Sequence, residues 1–354
     1  MRLMRWTGPG IIGLAAVVAG CAGGSYRPGT PATLELKERA LASLRQGMRY
    51  QHVPVVRCQA VEALESTAPA EALSWIRSAL RDESAGVRFA ACLALGELKD
   101  AASKDRFAEF LRDPQPSLQV AAIFALHRLG DASHTHRLPE YLLDHKDPDV
   151  RRNTAMVLGR LGEPGAIKLL ARVMDDPDEG LRLQAMEAMA LLGSKEARQE
   201  LTFLAQSGLG AREVFALNAL GQLGDREFSD TFRYKLKGAA HRETRVAAAR
   251  ALGRLGLSDG YRIALENLTF NQPDRNPAIV KDDPPEGQIV RVRTMAALAL
   301  GAIGDPAALP ALADALRIPY DPRVELAAAM AILQILHSDS QKVFVTRRKP
   351  GIEE

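Results

Sequence analysis

Apolar residues recur along this chain with the period of a helix, and the helical blocks themselves recur about every 31 residues. VRCQAVEAL begins at Val56, VRFAACLALGEL at Val87, LQVAAIFALHRLG at Leu118 and VRRNTAMVLGRLG at Val150. LRLQAMEAMALLG follows at Leu181, a weaker REVFALNALGQLG at Arg212 and TRVAAARALGRLG at Thr244. VRTMAALALGAIG starts at Val292 and VELAAAMAILQIL at Val324. The starts lie 31, 31, 32, 31, 31, 32, 48 and 32 residues apart. With the first residue of each block as position 0, positions 0, 4, 8 and 11 fall within an arc of about 80° on a helical wheel. Such units cannot bury their apolar faces alone, so they stack on their neighbours into a one-dimensional array.

Two further positions recur. Position 7 is alanine in every copy except the fourth, where Val157 replaces it. Position 9 is Gly96, Gly159, Gly221, Gly253 and Gly301 in five copies. Glycine inside a helix costs about 0.5–1 kcal/mol relative to alanine, so its return implies tight backbone packing or an early helix end. Between the blocks lie first helices such as AEALSWIRSAL, AIKLLARVM and LPALADAL. They follow Asp131, Asp225 and Asp305, or prolines near helix starts such as Pro69, Pro164 and Pro306. One linker, 271–290, carries Pro273, Pro277, Pro284 and Pro285 and is expected as an insertion loop, either a tolerated surface insertion or a binding loop. The segment 338–354 reads as a C-terminal tail.

These blocks resemble the HEAT repeat, in the short form of the phycobilisome-lyase-type proteins, with its D-x-x-V-R-x-x-A-x-x-A-L-G-x-L-G-D pattern. The fourth copy matches best, with Asp147 and Asp149 before Val150-Arg151 and Gly159-Arg160-Leu161-Gly162 at its end. The resemblance implies an all-α fold, a right-handed α-solenoid of about nine repeats over 33–337, whose second helices line a concave surface. It also implies that the position-1 arginines (Arg57, Arg88, Arg151, Arg182, Arg245 and Arg293) pair with loop aspartates such as Asp149 and Asp178; the other reading of that row is an anion site.

The N-terminus is different in kind. Arg2 and Arg5 precede a short apolar run, Ile11 to Ala19, well below the ~20 residues that span a bilayer. Val18-Ala19-Gly20-Cys21 resembles the lipobox of bacterial lipoproteins. That resemblance implies a signal peptide over 1–20, lipid attachment at Cys21 and a flexible tether over 21–32. It places the protein in a bacterial cell envelope, facing the periplasm, with the outer membrane favoured because Ala22 is not acidic.

Composition adds little. The 354 residues hold 46 Lys+Arg against 43 Asp+Glu, and Arg2 and Arg5 fall in the signal, so the basic balance says little about a partner and nucleic-acid binding is not expected. Aromatics at 5% and abundant Ala and Leu favour helix over sheet. Cys58 and Cys92, in adjacent copies, read as packed thiols or a disulfide. His127, His134, His136 and His145 lack the i, i+4 spacing of a helical metal pair, so no metal or other cofactor is expected. No G-x-S-x-G or H-E-x-x-H motif and no phosphate loop occurs, and no catalytic residue is assigned.

The outward arc of the second helices carries the interaction candidates. Position 6 runs Glu62, Leu93, Phe124, Met156, Glu187, Asn218, Arg250, Leu298 and Met330. Leu93, Phe124 and Met156 would form an apolar stripe over three units, flanked by Arg128 and Arg160 at position 10. Alternatively, curvature buries them against the next repeat. The expectation is a membrane-anchored, non-catalytic scaffold that binds an unidentified protein or peptide on its concave face. The alternative is a lyase-like enzyme or enzyme subunit acting on a bound small molecule.

Overall fold

The computed structural model describes residues 26–27, 29–274, 284–317 and 321–347, and its regular structure there is helical. Each repeat is a first helix followed by a second helix, the second being the longer in all but the opening repeat. The first helices are α1 (Pro31–Gly47), α3 (Pro69–Ala79), α5 (Lys104–Phe110), α7 (Leu138–Leu143), α9 (Ala166–Ala171), α11 (Lys195–Leu204), α13 (Ser229–Gly238), α15 (Tyr261–Leu268) and α17 (Leu309–Arg317). The second helices are α2 (Pro54–Thr67), α4 (Ala85–Glu97), α6 (Pro116–Arg128), α8 (Pro148–Leu161), α10 (Glu179–Leu191), α12 (Gly210–Leu223), α14 (Arg242–Arg254), α16 (Pro285–Ile303) and α18 (Pro322–Arg347). They pair into nine repeats, and the helical repeat array expected from the periodicity is present.

The recurring glycines divide their work. An added Cβ on Gly96 would lie 2.9 Å from the Ala125 Cα, and one on Gly159 would lie 2.9 Å from the Ala188 Cα. Gly221 meets Ala251, and Gly301 meets Ala331, in the same way. Position 9 of one second helix thus packs on position 7 of the next, which explains the small residue at both. The glycine three residues later ends the helix instead: Gly162 stands at φ 77° after α8 and Gly304 at φ 72° after α16. Lys99 occupies that same register position after α4 and is forced to φ 52°.

Charged pairs tie each repeat to the next. Arg57 grips Asp82 through Nε and Nη2 at 2.9 and 2.8 Å and donates Nη1 to the Tyr50 carbonyl at 2.9 Å. Arg151 pairs with Asp176, and Arg152 holds Asp178 at 3.0 Å. Arg57 and Arg151 of the arginine row are therefore structural, but the partners differ in part from expectation: Asp178 belongs to Arg152, and Asp149 makes an i, i+3 pair with Arg152. In the sixth copy the polarity reverses, and buried Glu213 at position 1 pairs with Lys235.

Three expected boundaries move, the first being the start of the array, since α1 begins at Pro31 inside the stretch 21–32 expected as a tether. Pro285 sits at the first turn of α16, where its missing N–H costs nothing, so 285–290 is helix and the loop ends earlier than 290. The loop's first part is anchored, with Asp274 held by Arg242 at 3.0 Å and by Gln288 Nε2 at 3.1 Å. The longer connection also shifts α16 along its axis: Gly253 meets Ala302 and Ile303 rather than Ala299. At the other end α18 continues to Arg347, into the stretch read as a tail.

The array closes on itself. Each second helix packs against the next from α2 to α18, and α18 packs in turn against α2. α1 lies between α18 and α2, the place that α3 holds between α2 and α4 and α11 between α10 and α12. At this seam a Cβ on Gly47 would lie 2.6 Å from Leu326 Cδ2 and 3.1 Å from Ala60 Cβ, and Leu44 is fully buried. The nine repeats form a ring.

Candidate functional site: a charged lumen

Closure turns the inner faces of the second helices into the wall of a lumen. Nine helices with axes about 9 Å apart enclose a circle of about 26 Å, which leaves about 15 Å between side-chain-bearing walls. Position 10 and the polar residues at position 6 project into it, one turn apart on one face of each helix.

The electrostatics bear this out. Glu62 on α2 and Glu65 beside it both feel Arg160 on α8, three helices away around the ring. Glu187 on α10 feels Arg160 on one side and Arg254 of α14 on the other. Side chains of helices far apart in the chain thus act on one another, as a shared interior space allows. Glu62 and Arg254 are solvent-exposed, yet burial pushes the Glu62 carboxyl above its ordinary range and the Arg254 guanidinium below its own. Water reaches these groups while protein surrounds them. Burial likewise raises Glu65 and Glu187, and it pushes Arg250 down to about 10, with the neighbouring Arg254 adding to the shift.

Hydrogen bonds fix part of this constellation. Gln184 donates Nε2 to Glu187 at 2.7 Å, Arg128 pairs with Glu97 at 3.0 Å, and Arg254 donates Nη1 to the Asn218 carbonyl at 3.0 Å. A water-accessible interior that holds carboxylates of raised proton affinity beside arginines can bind charged groups and move protons.

The residues singled out from sequence divide. Leu93 and Phe124 do not form an exposed stripe: they are 5% and 0% exposed, because ring curvature packs them between adjacent second helices, with Phe124 against Gly96. Met156 is half-buried. Arg128 and Arg160 do face the lumen, Arg128 in its pair with Glu97 and Arg160 exposed. Glu62, Glu187 and Arg250 were visible at position 6, and their signal lay in reading the nine positions as a circle. Cys58 and Cys92 are free thiols, Cys92 buried and Cys58 raised to about 11 by burial. Among the described residues no group of His, Cys, Asp and Glu is placed to hold a metal ion, and no helix is long and apolar enough to cross a membrane. Cys21 and the stretch 1–20 expected as a signal peptide lie outside the described residues.

Among curated proteins none matches this sequence. Solved structures do. Human deoxyhypusine hydroxylase in complex with glycerol is 19% identical, with 87% of this chain and 100% of that chain covered at a TM-score of 0.36. The complex of CpcE and CpcF of phycocyanin lyase from Nostoc sp. PCC7120 is 20% identical, with 75% and 93% covered at 0.37. The Escherichia coli protein YIBA is 16% identical, with 87% and 98% covered at 0.32. The expectation of a non-catalytic protein is corrected here: the structures similar to this chain include a hydroxylase and a lyase complex, and the lack of a recognisable motif does not make the chain inert. At these identities the likeness concerns the fold alone, and no activity passes from them to this chain. The profile of HEAT repeats matches residues 41–127, 105–190, 135–214 and 287–333, more than half of the chain, and the protein belongs to the HEAT-repeat family.

Proposed function

We propose that this protein is a tethered HEAT-repeat ring that takes a small charged molecule into its lumen, as an enzyme or as the subunit of one. The observation that carries this reading is the closure of nine second helices around Glu62, Glu65, Glu187, Arg160, Arg250 and Arg254. A folded partner protein cannot lie along a concave face that is closed into a ring about 15 Å wide. A small molecule can enter and meet groups of both signs. Carboxylates of raised proton affinity beside fixed arginines are what general acid–base chemistry requires. In this reading Cys21 carries the lipid that tethers the ring to a bacterial envelope membrane, facing the periplasm, with the outer membrane favoured.

The test is capture. The purified full chain is incubated with a small-molecule extract of the bacterium that makes it, re-isolated, and its bound compounds identified by mass spectrometry. At least one compound is expected at near-stoichiometric amount, and at least tenfold less on a chain carrying E62Q, E187Q and R160M. Equal retention by both chains overturns the lumen as the site. A second reading, capture of an extended peptide of an envelope partner, is favoured by the Cys21 address; recovery of a peptide in place of a small molecule would establish it.

A further inference from the structure

Arginines at several repeat junctions are gripped by aspartates, Arg57 by Asp82 and Arg151 by Asp176. Arg250, like Arg160 across the lumen, makes no hydrogen bond and no ion pair among the described residues. It stands at position 6 of α14, one turn before Arg254 at position 10, so both guanidinium groups project from one face into the lumen. Arg254 is braced by its 3.0 Å hydrogen bond to the Asn218 carbonyl, which fixes one edge of its guanidinium. Glu187 is the acidic group that acts on Arg254, and it is shared with Arg160. Two like charges held i, i+4 on one helix destabilise it, and no structural pairing explains Arg250. Binding is the role that remains for an unpaired arginine beside an anchored one, since guanidinium groups match oxyanions in a bidentate way.

We infer that Arg250 and Arg254 form an oxyanion subsite on the lumen wall that takes the phosphate or carboxylate group of the bound molecule. This deepens the lumen reading and rests on it. The anionic end docks on α14, and the rest of the molecule extends across the lumen toward Glu62 and Glu65 on α2. The ligand class is therefore a small molecule with one oxyanion terminus, and a cationic or hydrogen-bonding group at the far end complements the α2 carboxylates.

The probes are inorganic phosphate and acetate, each titrated into the full chain by isothermal calorimetry against sodium chloride of matched ionic strength. Saturable binding of at least one anion is expected, and the tighter of the two identifies the terminus. The R250M/R254M chain should bind it at least tenfold more weakly, with a melting midpoint at or above the parent's. The R250K/R254K chain should keep most of the affinity. Absence of saturable binding of both anions to the parent overturns the subsite without need of any variant, as does equal binding by R250M/R254M. A fall in melting midpoint on removing the two charges assigns the pair to the fold and overturns it too. Full retention of the captured compound by R250M/R254M overturns the subsite alone and leaves the lumen reading in place.

Discussion

Glu187 shows how a single residue reports the ring. It is half-buried and accepts a hydrogen bond from Gln184, and burial still raises its carboxyl above the ordinary range. A carboxylate whose proton affinity is higher in the folded state binds more protons there, so this group opposes folding at neutral pH. Its penalty fades as pH falls through the raised folded value, and it is gone below the unfolded value near 4. Glu62 has the same sign. E62Q/E187Q should therefore melt higher than the parent at pH 7, and the gap should close toward pH 4, as followed by thermal denaturation at several pH values. A gap that widens on acidification would mean that these carboxylates are held charged by their arginines. The types of these residues and their register were legible in sequence. Their electrostatics were not, because Arg160 lies about a hundred residues from Glu62 and reaches it only across the lumen.

At the scale of the element, the second helix of each repeat was the most legible part of the chain. Its apolar arc, its alanine at position 7 and its paired glycines follow from helical geometry and close packing, and the structure gives each a contact. Glycine to alanine inside a helix ordinarily gains about 0.5–1 kcal/mol. At Gly159 the sign reverses, since the new methyl would meet Ala188 Cβ at 2.8 Å and its Cα at 2.9 Å, on backbone that cannot swing aside. G159A is expected to destabilise the protein by about 1–3 kcal/mol, the usual cost of overpacking, measured by urea unfolding. A control at Gly165, where nothing lies near an added Cβ, should show no such loss. The elements that sequence misplaced were ends: prolines at 284 and 285 read as loop although Pro285 suits the first turn of α16, and α18 runs on to Arg347.

At the scale of the molecule the deciding event is the seam. Ends of an open repeat array fray, because a terminal unit has one neighbour instead of two. Here α1 and α18 cover each other, with Leu44 fully buried and Gly47 against Leu326. Amide exchange in α1 and α18 should accordingly be as slow as in mid-ring helices. L44D, which buries an unpaired carboxylate, should open the seam: exchange in both helices rises, and the radius of gyration from small-angle scattering grows. Fast exchange in α1 of the unmutated chain would argue for an open array instead.

The sequence by itself determined the repeat, the helical class, the packing glycines and the junction arginines, because each is set by neighbours within about one period of the chain. The proposed lipid address at Cys21 is likewise read from a linear signal. Only the tertiary structure decided closure. Nine units must each turn by about 40° to bring α18 onto α2, and a few degrees of difference per unit, summed over the array, would leave a gap. That angle comes from how each Gly–Ala contact seats, which no periodicity records. With closure came the rest: a concave face became a lumen, an apolar stripe became wall, and scattered charges came to face one interior.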